Sequence, residues 1–177
     1  MRHRCFLLLL VLAPGLCLYF GFIYWREHRF DVEIAAAARR YQLEPALIKA
    51  VIWRESRFNP NDRGGAGELG LMQIREDAAY EWAASEHIAG FEHAACLNAA
   101  TNTLAGTWYL KQTLRRYKLA DNPLPYALAD YNAGRANVLK WRTGSAMTNS
   151  AAFLNQVGFP GTKAYVQAVL KKYRHYR

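Results

Sequence analysis

From Asp31 onward the sequence reads as a run of helix-length segments parted by proline and glycine, with almost nothing that alternates like a strand. Asp31 to Tyr41 is alanine-rich. Pro45 can open a second helix at its first turn, where a missing N–H costs nothing, and Pro60 with Gly64-Gly65 closes it. Arg75 to His87 follows a glycine-rich stretch at Asp62 to Gly70, and Asn98 to Tyr117 reads as one long helix. Pro123 and Pro125 bound a connector before Tyr126 to Asp130, which Gly134 stops. Arg135 to Trp141, Ser150 to Gln156 and Thr162 to Tyr173 complete the set. The predicted class is all-α, or mainly α with a small hairpin near Gly64 to Ile74. No internal repeat or long linker interrupts residues 31–177, so they form one domain.

The second helix carries an acid in an apolar place. Leu47, Ile48, Val51 and Ile52 share a face with Glu55 at 3.6 residues per turn, while Arg54 and Arg57 point elsewhere. Pro60 puts Glu55 in or near the last turn, where the helix dipole also disfavours a negative charge. Burial and terminus both push its pKa upward, the direction a general acid needs. An amphipathic helix with one misplaced acid bent to solvent fits the same stripe, so the helix alone leaves both readings open.

Ahead of the domain, residues 1–30 read as a signal anchor or a signal peptide with a short juxtamembrane segment. Phe6 to Trp25 holds no charged side chain and follows Arg2 and Arg4, and about 30 Å of helix can cross a bilayer. With no small-x-small cleavage site before Trp25, a retained anchor is expected, with the domain on the extracytoplasmic side of an inner membrane; cleavage would make it secreted. Cys5 and Cys17 lie in or beside that segment, which leaves Cys96 alone in the domain and no disulfide scaffold. The five histidines lack metal-ligand spacing, so no metal is expected. Of the net charge of +9, the first thirty residues contribute +3 and the rest +6, gathered at Lys163, Lys171, Lys172, Arg174 and Arg177. A solvated terminal helix explains such a tail, as does a face for an anionic polymer. Nucleic acid fits poorly, because no reading motif accompanies the charge.

Downstream motifs decide what Glu55 is for. Glu55-Ser56 is followed by Phe58-Asn59-Pro60, then, fifteen residues after the Glu, by Gly70-Leu71-Met72-Gln73. Asn102, Gly106, Tyr109-Leu110 and Ala129-Asp130-Tyr131-Asn132-Ala133-Gly134 come later. This order resembles the soluble lytic transglycosylase family, with its goose-lysozyme-like catalytic domain, from about Ala35 to Tyr173. The resemblance implies cleavage of the β-1,4 bond between N-acetylmuramic acid and N-acetylglucosamine in peptidoglycan, with no cofactor. It implies Glu55 as the single acid and base, protonating the glycosidic oxygen and then taking the C6 hydroxyl proton as a 1,6-anhydro ring closes without water. No second carboxylate is then required.

The resemblance assigns Ser56, Met72, Gln73, Tyr131 and Asn132 to substrate binding or support. Ser56 and Gln73 offer donors and acceptors to hydroxyls or the acetamido group, and Met72 suits a sugar subsite or ordinary core. Tyr131 matches a tyrosine whose hydroxyl approaches the Glu. Gly70, Asn102 and Gly134 are structural or support the site from behind. Two departures stand out: Ile74-Arg75-Glu76-Asp77 where the family continues with a proline-containing segment, and Gly161 where it often has a Glu. Two other readings stay open. One is a hydrolytic muramidase on the same fold, with Asp62, Glu68 or Asp130 as its second carboxylate. The other is a membrane-anchored peptidoglycan-binding or assembly protein with little activity.

Overall fold

The computed structural model describes residues 2–177, with side chains from Gly15 onward. Nine helices follow one another in these residues: α1 Arg2–His28, α2 Asp31–Tyr41, α3 Pro45–Ser56, α4 Glu76–Ser85, α5 Ala99–Arg116, α6 Pro123–Ala133, α7 Arg135–Trp141, α8 Ser150–Gln156 and α9 Pro160–Tyr176. Single 3-10 turns occupy His93–Leu97 and Gly144–Met147. The described residues form no sheet. The hairpin expected near Gly64 to Ile74 is reduced to two isolated antiparallel bridges, Arg63 with Leu69 and Leu69 with Ile74.

The helix boundaries follow local chemistry. Pro45 opens α3 at its first turn, as its spacing predicts, and Asn98 caps α5 by accepting the Ala100 and Thr101 N–H groups. The connector expected at Pro123 and Pro125 is instead the first turn of α6. First-turn prolines lack only N–H groups that have no intrahelical partner, and the Asn122 side chain accepts the one at Leu124.

Packing places α3 at the centre. Ile48, Val51 and Ile52 are fully buried and Leu47 nearly so, against Tyr165, Val166 and Val169 of α9. Each such side chain contributes roughly 1.5–3 kcal/mol by leaving water. α6 lies between α5 and α9, which brings the Asp130-Tyr131-Asn132 turn beside the end of α3.

The membrane anchor expected over residues 6–25 does not hold, because no helix among the described residues is long and apolar enough to cross a bilayer. Residues 6–14 of the expected segment lie outside the described side chains. An inner-membrane-anchored location is thereby overturned. The end of α1 is tied to the helices instead: Lys172 lies 3.4 Å from Glu27, and the Arg29 guanidinium donates to the Phe58 carbonyl at 2.8 Å.

Candidate active site

Glu55 occupies the next-to-last position of α3, and the chain reverses at once behind it. Arg57 and Phe58 both adopt positive φ, 52° and 63°. For side chains other than glycine this costs roughly 1–2 kcal/mol each. Burial of the Phe58 ring and the Arg29 bond to its carbonyl hold the turn. Glu55 is left half-buried at a cavity of about 350 Å³, lined also by Glu68, Gln73, Tyr109, Tyr131 and Asn132.

Burial raises the Glu55 carboxyl to about 7, against a hydrogen bond from Tyr165 and the charge of Arg54, which lower it, and the charge of Glu68, which raises it. The Tyr165 hydroxyl, from α9, donates to Glu55 Oε1 at 2.5 Å. Sequence reasoning gave this tyrosine no role. Tyr165-Val166 stands where the family has a Tyr-Val pair, but Tyr165 also belongs to the buried α9 stripe with Val166, Val169 and Tyr173, a pattern that looks like plain core. Because Tyr165 favours the ionised form, Tyr165→Phe moves the Glu55 titration further upward, a change readable by carboxyl NMR.

Tyr131 lines the same cavity as Glu55, and its hydroxyl is held by the 70–73 loop. Its hydroxyl donates to the Met72 carbonyl at 2.8 Å, although the ring stays close enough for the Glu55 charge, after burial, to raise its pKa. Tyr109 leans on it with ring centroids 5.4 Å apart. Gln73 lines the cavity at a φ of 49°, with its amide nitrogen donating to the Gly70 carbonyl at 2.9 Å. Asn132 lines it from the other side and accepts the Thr162 hydroxyl at 2.8 Å, which joins the α6 turn to the start of α9.

Two side chains assigned to substrate point away from it. Ser56 is buried and donates to the Leu71 carbonyl at 2.8 Å, binding the end of α3 to the loop. Met72 is fully buried and faces α5, where a Cβ on Gly106 would stand 2.5 Å from its sulfur. Its backbone carbonyl, by contrast, accepts the Tyr131 hydroxyl in the cavity wall.

Asn102 organises this loop from within α5. Its amide nitrogen donates to the Leu69 and Cys96 carbonyls, each at 2.7 Å, and its oxygen accepts the Met72 N–H at 2.7 Å. Gly70 has a φ of 73°, and a Cβ there would collide with the Asn102 amide and the Cys96 carbonyl. Gly134 ends α6 at a φ of 80°, its N–H donating to the Asp130 carbonyl at 2.8 Å. Asp130 itself is consumed: it is fully buried, 3.2 Å from Arg116, and accepts the Tyr117 hydroxyl at 2.7 Å.

A family model described as the Transglycosylase SLT domain matches residues 33–153. The chain belongs to this family. Over 157 residues it is 29% identical to the soluble lytic murein transglycosylase of Escherichia coli K12, covering 85% of this chain and 24% of that protein. It is 34% identical over 119 residues to the membrane-bound lytic murein transglycosylase F of Desulfosudis oleivorans, covering 66% of this chain and 24% of that one. The chain thus spans about a quarter of the length of these SLT relatives. Among solved structures, it is similar to an inactive glutamate-to-glutamine mutant of the lytic transglycosylase Slt from Pseudomonas aeruginosa, with a TM-score of 0.74 and 26% identity over 82% of this chain and 23% of that one. The 70 kDa soluble lytic transglycosylase of Escherichia coli gives 0.70 and 28%, over 81% of this chain and 24% of that one. The α3 glutamate, the 70–73 loop and the α6 turn all fall inside the matched SLT span.

Proposed function

We propose that residues 31–177 form a peptidoglycan lytic transglycosylase domain, which cleaves the β-1,4 bond between N-acetylmuramic acid and N-acetylglucosamine and leaves a 1,6-anhydromuramic acid end. The observation that carries this is Glu55, an acid that burial holds protonated to about neutrality, facing an open cavity within an SLT-family domain. Glu55 protonates the glycosidic oxygen as the bond breaks, and the substrate's N-acetyl group stabilises the positive charge at the sugar. Ionised Glu55 then takes the C6 hydroxyl proton, and the C6 oxygen closes on C1. Tyr165 serves the second half of the cycle, since its hydroxyl stabilises the ionised carboxylate between the two transfers. Gln73 and Asn132 present amides to sugar hydroxyls or the acetamido group. A similar transglycosylase from Pseudomonas aeruginosa is inactive as a glutamate-to-glutamine mutant, which agrees with a single essential acid.

A second reading, hydrolysis by water, is favoured by one observation: Glu68 faces the same cavity as Glu55. Asp130 is tied up by Arg116 and Tyr117, and Asp62 does not line the cavity. Mass spectrometry of digested peptidoglycan separates the two. Fragments ending in 1,6-anhydromuramic acid, lighter by one water than reducing ends, are expected. Reducing muramic acid ends without anhydro product would show that water is the acceptor.

A further inference from the structure

Glu68 is a carboxylate for which the proposed reaction has no use, yet its position is built. Its carbonyl accepts the Gly64 N–H at 2.8 Å, and the next residue, Leu69, exchanges both backbone bonds with Ile74 at 3.1 and 3.0 Å. The side chain is held as well, with Oε2 accepting the Ala66 N–H at 2.9 Å. Gly64 leaves the space for it: a Cβ there would collide with the Glu68 carboxylate and stand 2.9 Å from Gln73 Oε1. Glu68 is half-buried, lines the Glu55 cavity and makes no ion pair among the described residues. A carboxylate fixed on a pinned turn, facing a second acid and lacking a cation, is an arrangement that disfavours ionisation of that second acid.

We propose that Glu68 is a positioning residue that acts on the reaction through Glu55, its negative charge across the cavity keeping the proton on Glu55 until the leaving oxygen takes it. The inference rests on Glu55 being the general acid. Every other group that faces Glu55 pulls otherwise, is neutral or has its charge offset. Asp130, from α6, also lines the cavity, but Arg116 stands 3.2 Å from its carboxylate and the Tyr117 hydroxyl donates to it at 2.7 Å. Arg54, on its own helix, and the Tyr165 hydroxyl, from α9, favour the ionised form. Tyr131 from α6 and Tyr109 from α5 are uncharged phenols in the cavity wall. Arg75 and Asp77, at the start of α4, are exposed at the rim and 3.9 Å apart, so their charges largely cancel. Glu68 is thus the one carboxylate in the cavity wall whose charge no neighbouring cation offsets.

The test compares wild type, Glu68→Gln and Glu68→Asp in the full chain by two readouts. One is the Glu55 titration by carboxyl NMR in the free protein; the other is the pH profile of peptidoglycan turnover. In Glu68→Gln the Glu55 midpoint and the basic limb of the profile both move down by about half a pH unit or more, and turnover above neutrality falls about threefold or more. Glu68→Asp, which keeps the charge, restores most of both. An unchanged or higher midpoint overturns the proposal, as does a loss of turnover that is uniform across pH. A Glu68→Gln chain that fails to fold would assign Glu68 to the turn and overturn it too. The NMR readout needs no substrate, so an absence of anhydro product contradicts the proposed reaction without deciding the role of Glu68.

Discussion

Glu55→Gln lowers peptidoglycan turnover by about 10³-fold or more, while the protein becomes more stable at neutral and alkaline pH. The rate loss follows from chemistry: glutamine keeps the shape and can still accept from Tyr165, but it neither gives nor takes a proton, and both halves of the proposed reaction use Glu55. The stability gain follows from linkage. Glu55 binds its proton more tightly folded than unfolded, so from the ordinary glutamate range up to about pH 7 the native state holds a proton that the unfolded chain has lost. Stability of the wild type therefore falls as pH rises through that window, and the neutral amide has no such dependence. The difference above pH 7 is on the order of 1–3 kcal/mol in favour of the variant. Turnover assays and thermal unfolding at pH 5 and pH 8 check both halves; equal stability at the two pH values for both proteins would contradict the linkage.

Asn102→Ala destabilises the fold by roughly 3–5 kcal/mol and weakens activity in whatever folded fraction remains. Truncation leaves three buried backbone groups, the Leu69 and Cys96 carbonyls and the Met72 N–H, without partners at one stroke. Those groups set the path of residues 69–73, and that path carries Gln73 into the cavity and the Met72 carbonyl to Tyr131. The loss appears in denaturant unfolding as a lower midpoint with an unchanged slope. A variant within about 1 kcal/mol of wild type would mean that water or a backbone shift satisfies these groups.

The sequence revealed some of these features and concealed others for physical reasons. The α3 stripe, the Pro45 start and the α2, α7 and α8 limits were legible because each is set by local periodicity or by one residue's φ. Pro123 and Pro125 misled because proline marks a break and a helix start equally well. The hydrophobic stretch at the N-terminus has the composition of an anchor, yet no helix among the described residues is long and apolar enough to cross a bilayer. Within the site, the apolar stripe singled out Glu55 and the family resemblance pointed to Gln73 and Asn132, and all three line the cavity. It could not tell that Ser56 and Met72 turn inward, because a short polar chain and a thioether serve core and cleft alike. Tyr165, part of a Tyr-Val pair that the family shares, had no legible role since its partner lies 110 residues away and its ring obeys the core pattern of α9.

The most direct measurement is the titration of Glu55 in the intact wild-type protein by carboxyl NMR. A midpoint at about 7, well above the ordinary value of about 4.3, is the result expected of an acid that burial keeps protonated for the glycosidic oxygen. A midpoint at or below the ordinary value would mean that Glu55 is ionised when substrate arrives, and would contradict its role as the general acid.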